Sequence, residues 1–173
     1  MNVINVHPLL VHFPIAFFSL YGALELLSIL KKFKKQDYMF YLKATLVILG
    51  CFGALFAAIA GKLIEHQFAY RKELINVHST INELASVVFV LIAFAYLISW
   101  FKKSNISFLK LGILWKISMY WEKIVLNTPL IYLLTVVGLI LITIGGALGG
   151  AIAFGPRVDP VSSFVYSLFF PAK

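Results

Sequence analysis

Four runs of apolar residues, each long enough to cross a bilayer, constrain this chain more than any other feature. A helix needs about 20 such residues to traverse a hydrocarbon core of about 30 Å. Residues 9–30 qualify, interrupted only by Glu25, and so do 41–61, 81–101 and 129–154. Inside lipid no water satisfies the backbone, so a spanning segment is a helix or a strand of a closed barrel. Runs this continuous lack the alternation of barrel strands. Only 13% of the 173 residues are charged, against roughly a quarter in soluble domains. The sequence therefore predicts an all-α, integral membrane four-helix bundle, with one domain over 1–173. Cys51 is the single cysteine, so no intrachain disulfide forms, and no C-x-x-C-H is present for covalent haem attachment. The N-terminus lacks the basic region, short apolar core and cleavage site of a signal peptide, so the first span is expected to stay.

A net charge of +8 would suit nucleic acid, but the lysines sit in the connections, where water and anionic head groups surround them. No nucleic-acid module, phosphate loop or Ser/His/Asp arrangement appears. Lys31, Lys32, Lys34, Lys35 and Lys43 surround the first connection, and Lys102, Lys103, Lys110, Lys116 and Lys123 occupy the third. The other side holds Lys62, Arg71, Lys72, Arg157 and Lys173, diluted by Glu65, Glu73, Glu83 and Asp159. The positive-inside rule then puts both lysine-rich connections in the cytoplasm and both termini outside. Residues 104–126 mix Trp115, Tyr120 and Trp121 with Lys110, Lys116 and Lys123. They read as an amphipathic segment on the cytoplasmic surface between spans three and four. The tail from Arg157 is too short to cross and is expected along the outer interface. Asn127-Thr128-Pro129 reads as the cap of span four, with proline in its first turn. Glu25 lies roughly 9 Å of helix rise from Lys31 and either snorkels to the interface, pairs with lysine or carries a proton.

All four histidines fall on the outer side by this orientation. His7 and His12 open span one, His66 follows span two, and His78 precedes span three. Interfacial histidines that only hydrogen-bond to head groups and loop carbonyls are one reading. A ligand cluster is the other. Imidazole suits haem iron, copper and zinc, and nothing here has zinc-finger spacing. Two histidines on different helices facing one slot ligate a b-type haem, and His12 and His78, each at the membrane edge of its span, fit best. His7 and His66 then form an outer wall, hold a propionate or ligate a second metal. The start of span three has two readings: Thr80 to Glu83 as a capping box, or Asn76 as cap with His78 in the first turn and Asn82 one turn below.

In GGALGGAIAFG, Gly145 with Gly149 and Gly146 with Gly150 make two overlapping small-residue pairs. Gly50, Ala54, Ala57 and Gly61 make a second stripe in span two. Such stripes let helices approach closely; at the histidine level, Gly145 and Gly149 also suit the face of a flat macrocycle.

HPLLVHFPIAFF, VHSTINELA and GGALGGAIAFG together resemble the bacterial membrane family called domain of unknown function 2231, over most of the chain except 104–126 and the tail. The resemblance implies a small four-helix membrane domain in which His7, His12 and His78 match the family's histidine positions. It implies no activity, and electron transfer enters by analogy with members associated with redox modules. The expectation is thus a multi-pass protein of the bacterial inner membrane, binding haem b and passing electrons within a membrane redox complex. A non-catalytic structural subunit is the first alternative, and copper or zinc handling by the same histidines the second. Whether the chain is an enzyme stays open.

The lysine asymmetry makes a prediction. In a Cys51-free background, Gln36→Cys and Asn105→Cys should resist an impermeant thiol reagent in intact cells, while Tyr70→Cys and Pro160→Cys react. The reverse pattern would invert the orientation.

Overall fold

The computed structural model describes residues 6–30, 37–65, 71–104 and 112–171. Within them the chain is all-α. The elements are α1 (His7–Leu27), α2 (Asp37–Ile64), α3 (Lys72–Lys103), α4 (Ile113–Asn127), α5 (Leu130–Phe154) and α6 (Pro160–Phe169). Helices α1, α2, α3 and α5 are long and apolar enough to span a membrane. Helix α1 packs on α2, α3 on α5, α2 on α3 and α1 on α5, closing a ring of four with α1 and α3 on a diagonal.

Two helix starts differ from the sequence reading. Helix α3 begins at Lys72, so neither Thr80 nor Asn76 is a cap; both lie inside the helix. Glu83 accepts a bond from Ser79 one turn earlier at 3.4 Å instead of capping. Arg71 ties the polar start of α3 to the end of α5, donating to the Ala151 and Ile152 carbonyls at 2.8 and 2.7 Å. Helix α5 begins at Leu130, so Pro129 stands at the cap position instead of in the first turn, and Thr128 supplies the oxygen that takes the Leu130 N–H at 3.2 Å. Asn127 is the last residue of α4.

The amphipathic segment is a helix over 15 residues, or roughly 22 Å at 1.5 Å per residue, too short to span. It leans across the lysine-bearing half of α3. Trp121 donates to the Leu91 carbonyl at 3.1 Å, and Glu122 and Val125 are buried. The tail is also helical: Asp159 caps α6, taking the Ser162 N–H at 2.9 Å. The Ser162 hydroxyl and N–H hold the Asp159 carboxyl below its ordinary range.

The helix pairs α1–α2 and α3–α5 repeat one design. Gly50 faces Phe18, and Gly138 faces Phe89; Gly61 faces His7, and Gly149 faces His78. The spacing from His7 to Phe18 equals that from His78 to Phe89, and the spacing from Gly50 to Gly61 equals that from Gly138 to Gly149. Each pair thus presents a histidine and a phenylalanine from its first helix into two glycine notches of its second. Phe18 and Phe89 stack on one another across the bundle, centroids 3.9 Å apart and planes 4° apart, where an approximate two-fold axis relating the halves would run. Among the described residues, helix α4 has no counterpart in the first half.

The notches predict where bulk is tolerated. A Cβ on Gly138 would lie 2.7 Å from the Phe89 ring, whereas one on Gly146 meets nothing within 4 Å. Gly138→Leu should therefore cost about 1–3 kcal/mol in unfolding from mild detergent, the usual penalty of overpacking. Gly146→Leu should change little. Equal stability of the two variants would mean that the Phe18–Phe89 layer is not tightly packed.

Candidate functional site

At one end of the bundle, the start of α1, the end of α2, the start of α3 and the end of α5 form a mouth. His7 is the first residue of α1, which opens without a side-chain cap and with Pro8 where no N–H is needed. Its Nδ1 meets the Ala57 carbonyl of α2 at 2.9 Å, and its Cε1 edge fills the notch at Gly61, where a Cβ would lie 3.1 Å away. His78 does the same on the other pair. Its Nδ1 meets the Gly145 carbonyl of α5 at 2.9 Å, and its Cε1 edge fills the notch at Gly149, again 3.1 Å from a built Cβ. A carbonyl only accepts, so each Nδ1 carries a proton, and in the neutral ring Nε2 then holds the lone pair. Both imidazoles lie at the same end of the bundle, on the helix faces that carry the stacked Phe18 and Phe89.

The repeat is not symmetric in every residue. Asn82 stands where the first half has Val11. Its amide lies over the His78 ring, with Nδ2 3.3 and 3.4 Å from the two ring nitrogens. The same amide donates to the His78 carbonyl at 2.8 Å. It packs on Gly145, where a Cβ would collide with it. Gly145 and Gly149, expected to admit a macrocycle face, are instead occupied by Asn82 and His78.

His12 is not brought into this mouth. It lies five residues after His7, roughly 140° around the helix at 100° per residue, and is exposed on the outside of the bundle. Its Nδ1 bonds to the Pro8 carbonyl of its own helix. The structure thus gathers His7 and His78, not His12 and His78. His66 lies outside the described residues. Among the described residues no group of three His, Cys, Asp or Glu is placed to hold a metal ion.

The opposite end holds a second polar group. Glu25, only 4% exposed, receives the Lys43 ammonium of α2, with Nζ 3.1 Å from either carboxylate oxygen. Lys43 also donates to Ser28 at 3.1 Å, and the Tyr96 hydroxyl of α3 donates to Glu25. Tyr21 lies edge-on to Tyr96, and its hydroxyl sits 3.4 Å from Thr135 of α5. All four spans therefore contribute to this cluster. Among the described residues, no buried side-chain polar atom lacks a partner. Of these residues, sequence reasoning singled out Glu25 and offered pairing with lysine. It missed Tyr21, Tyr96 and Thr135, and counted Lys43 only as a surface charge. A usable signal was present: Glu25 follows His7 by the same spacing as Tyr96 follows His78, so the two belong to one layer of the repeat.

Residues 3–161 match the family described as predicted membrane protein (DUF2231). The chain belongs to that family. No curated protein and no solved structure matches it. Membership carries the membrane assignment, in agreement with the four spanning helices, and leaves the chemistry to the residues.

The buried pair yields a test. Lys43→Met would leave the Glu25 carboxylate buried and unpaired, which costs about 3–5 kcal/mol. Adding Glu25→Gln removes that charge and still gives Tyr96 an acceptor, so the double variant should recover most of the loss in detergent unfolding. If it is as unstable as Lys43→Met, charge isolation is not the cause.

Proposed function

We propose that this protein binds b-type haem at the histidine mouth, through His7 and His78, and carries single electrons in the membrane. One observation supports this most: two imidazoles from diagonal helices share the mouth, each with Nδ1–H held by a carbonyl of the helix paired with its own. Histidines that ligate a metal characteristically donate their other ring N–H in this way, which fixes the tautomer and makes Nε2 the basic nitrogen. His7 and His78 would be the residues that hold the haem iron, for which two imidazoles suffice. When bound, haem would supply a one-electron couple.

This chain's residues would tune that couple. The Ala57 and Gly145 carbonyls enrich the two imidazoles, and the amide of Asn82 makes the two halves unequal. The orientation inferred from lysine places the mouth outside the bacterial inner membrane, with both termini on that side. A membrane-bound protein partner would then donate or accept electrons there. Copper or zinc handling would need a further ligand beside the two imidazoles that the described residues gather at the mouth. A purely structural subunit would use the same Nδ1–H bonds only to tie each helix to its partner and would bind no haem.

The experiment is an absorption spectrum of protein purified after haem-supplemented expression, reduced minus oxidised. A sharp low-spin b-type band is expected. His7→Ala and His78→Ala should each abolish it or turn it high-spin, since one imidazole leaves an iron position open. His12→Ala and His66→Ala should keep it. Absence of a Soret band would remove the haem reading, and a band lost on His12→Ala but kept on His7→Ala would return the ligand role to His12.

A further inference from the structure

Helix α4 has no counterpart in the first half of the repeat, and an insertion that departs from a repeat commonly builds a binding face. Helix α4 lies against the end of α3 and leaves a cleft of about 450 Å³, lined by Lys102, Met119, Tyr120, Glu122, Lys123 and Asn127. We infer that this cleft binds the head group of one anionic glycerophospholipid. Glu122 is 5% exposed and pairs with Lys102 at 3.8 Å, while the Lys102 side chain remains 54% exposed. The pair holds the Lys102 stem in place without enclosing its ammonium, which has three donors to share. Lys123 and Asn127 are exposed on the same wall. Two lysines against one carboxylate leave a single positive charge, the complement of one phosphodiester.

Position and walls favour a lipid over a free anion. Tyr41 and Trp100 lie edge-to-face at this end, and Phe40 packs beside Tyr41, the kind of aromatic girdle that marks head-group depth. Lys102 follows Trp100 by two residues. Beyond the lysines, Met119 and Tyr120 supply apolar wall. The exposed side chains of Ile113, Leu114 and Ile117 continue that surface for acyl chains, as on an interfacial amphipathic helix. The site lies at the end of the bundle away from the histidines and does not depend on the haem reading.

The test is native mass spectrometry of the full chain released from phosphatidylcholine nanodiscs carrying a graded fraction of phosphatidylglycerol. One phosphatidylglycerol should be retained at fractions where phosphatidylcholine is lost. Lys123→Gln and Lys102→Gln should each weaken retention about fivefold, the effect of one lysine near an anionic surface. If Lys102→Gln unfolds the end of α3, Lys123→Gln reads the site alone. Lys116→Gln, two turns along the same helix, and Lys62→Gln, at the other end, should leave retention unchanged. Equal loss with Lys116→Gln would reduce the effect to general charge attraction and overturn the site. Equal retention of phosphatidylcholine would overturn it too, as would displacement of the lipid by millimolar inorganic phosphate.

Discussion

The stacked pair Phe18–Phe89 is the contact on which the bundle is organised. Lipid offers no hydrophobic drive between helices, so spans associate through close packing and polar contacts. Two large rings meeting face to face at 3.9 Å fill the centre only if the helices behind them yield room, and Gly50 and Gly138 do so. That ring layer brings α1 and α3 together on the diagonal and seats each against the glycine stripe of its paired helix. The histidine mouth and the Glu25 cluster follow from it, one on either side along the same helix faces.

The two ends answer the cost of polarity in lipid differently. At the lysine end a carboxylate and an ammonium are buried together, each meeting further hydroxyls. Such a pair contributes little net stability against an apolar replacement, but removing one partner is costly; it ties α1, α2 and α3 into a single arrangement. At the histidine end the imidazoles are bonded through Nδ1 to backbone carbonyls on helices that have already spent those oxygens on their own ladders. Carbonyl oxygens have a second lone pair, so the helices need not unwind. Imidazoles held through Nδ1 at the membrane edge suit a ligand role that the charged cluster does not.

Much of this was legible in the chain. Continuous apolar runs give the four spans, because lipid leaves the backbone few alternatives, and the aromatics mixed with lysines over 104–126 mark the amphipathic segment in which α4 forms. The histidines at one end and a polar Glu25 inside span one were also legible. Which histidine faces the interior was not. His7 and His12 are both near the start of α1, and only the phase of that helix, set by Pro14 on Gly53 and Phe18 on Gly50, turns His7 inward and His12 out. The start of α3 was misread for a related reason. Capping residues are local signals, and Thr80 and Asn76 look like caps until the Arg71 contact to the end of α5 shows the helix extending past them.

The sequence by itself determined the class, the spans and the charge difference between the ends, because each is a property of residue type and spacing along one segment. The same spacings even hold the internal repeat, in the matched distances from histidine to phenylalanine and from glycine to glycine. Only the tertiary structure decided that those spacings face each other, which puts His7 with His78, Glu25 with Lys43 and Tyr96, and Phe18 on Phe89. Helix rotation and pairing are fixed by contacts between segments far apart in the chain, and a notch in one helix has meaning only beside the ring that fills it.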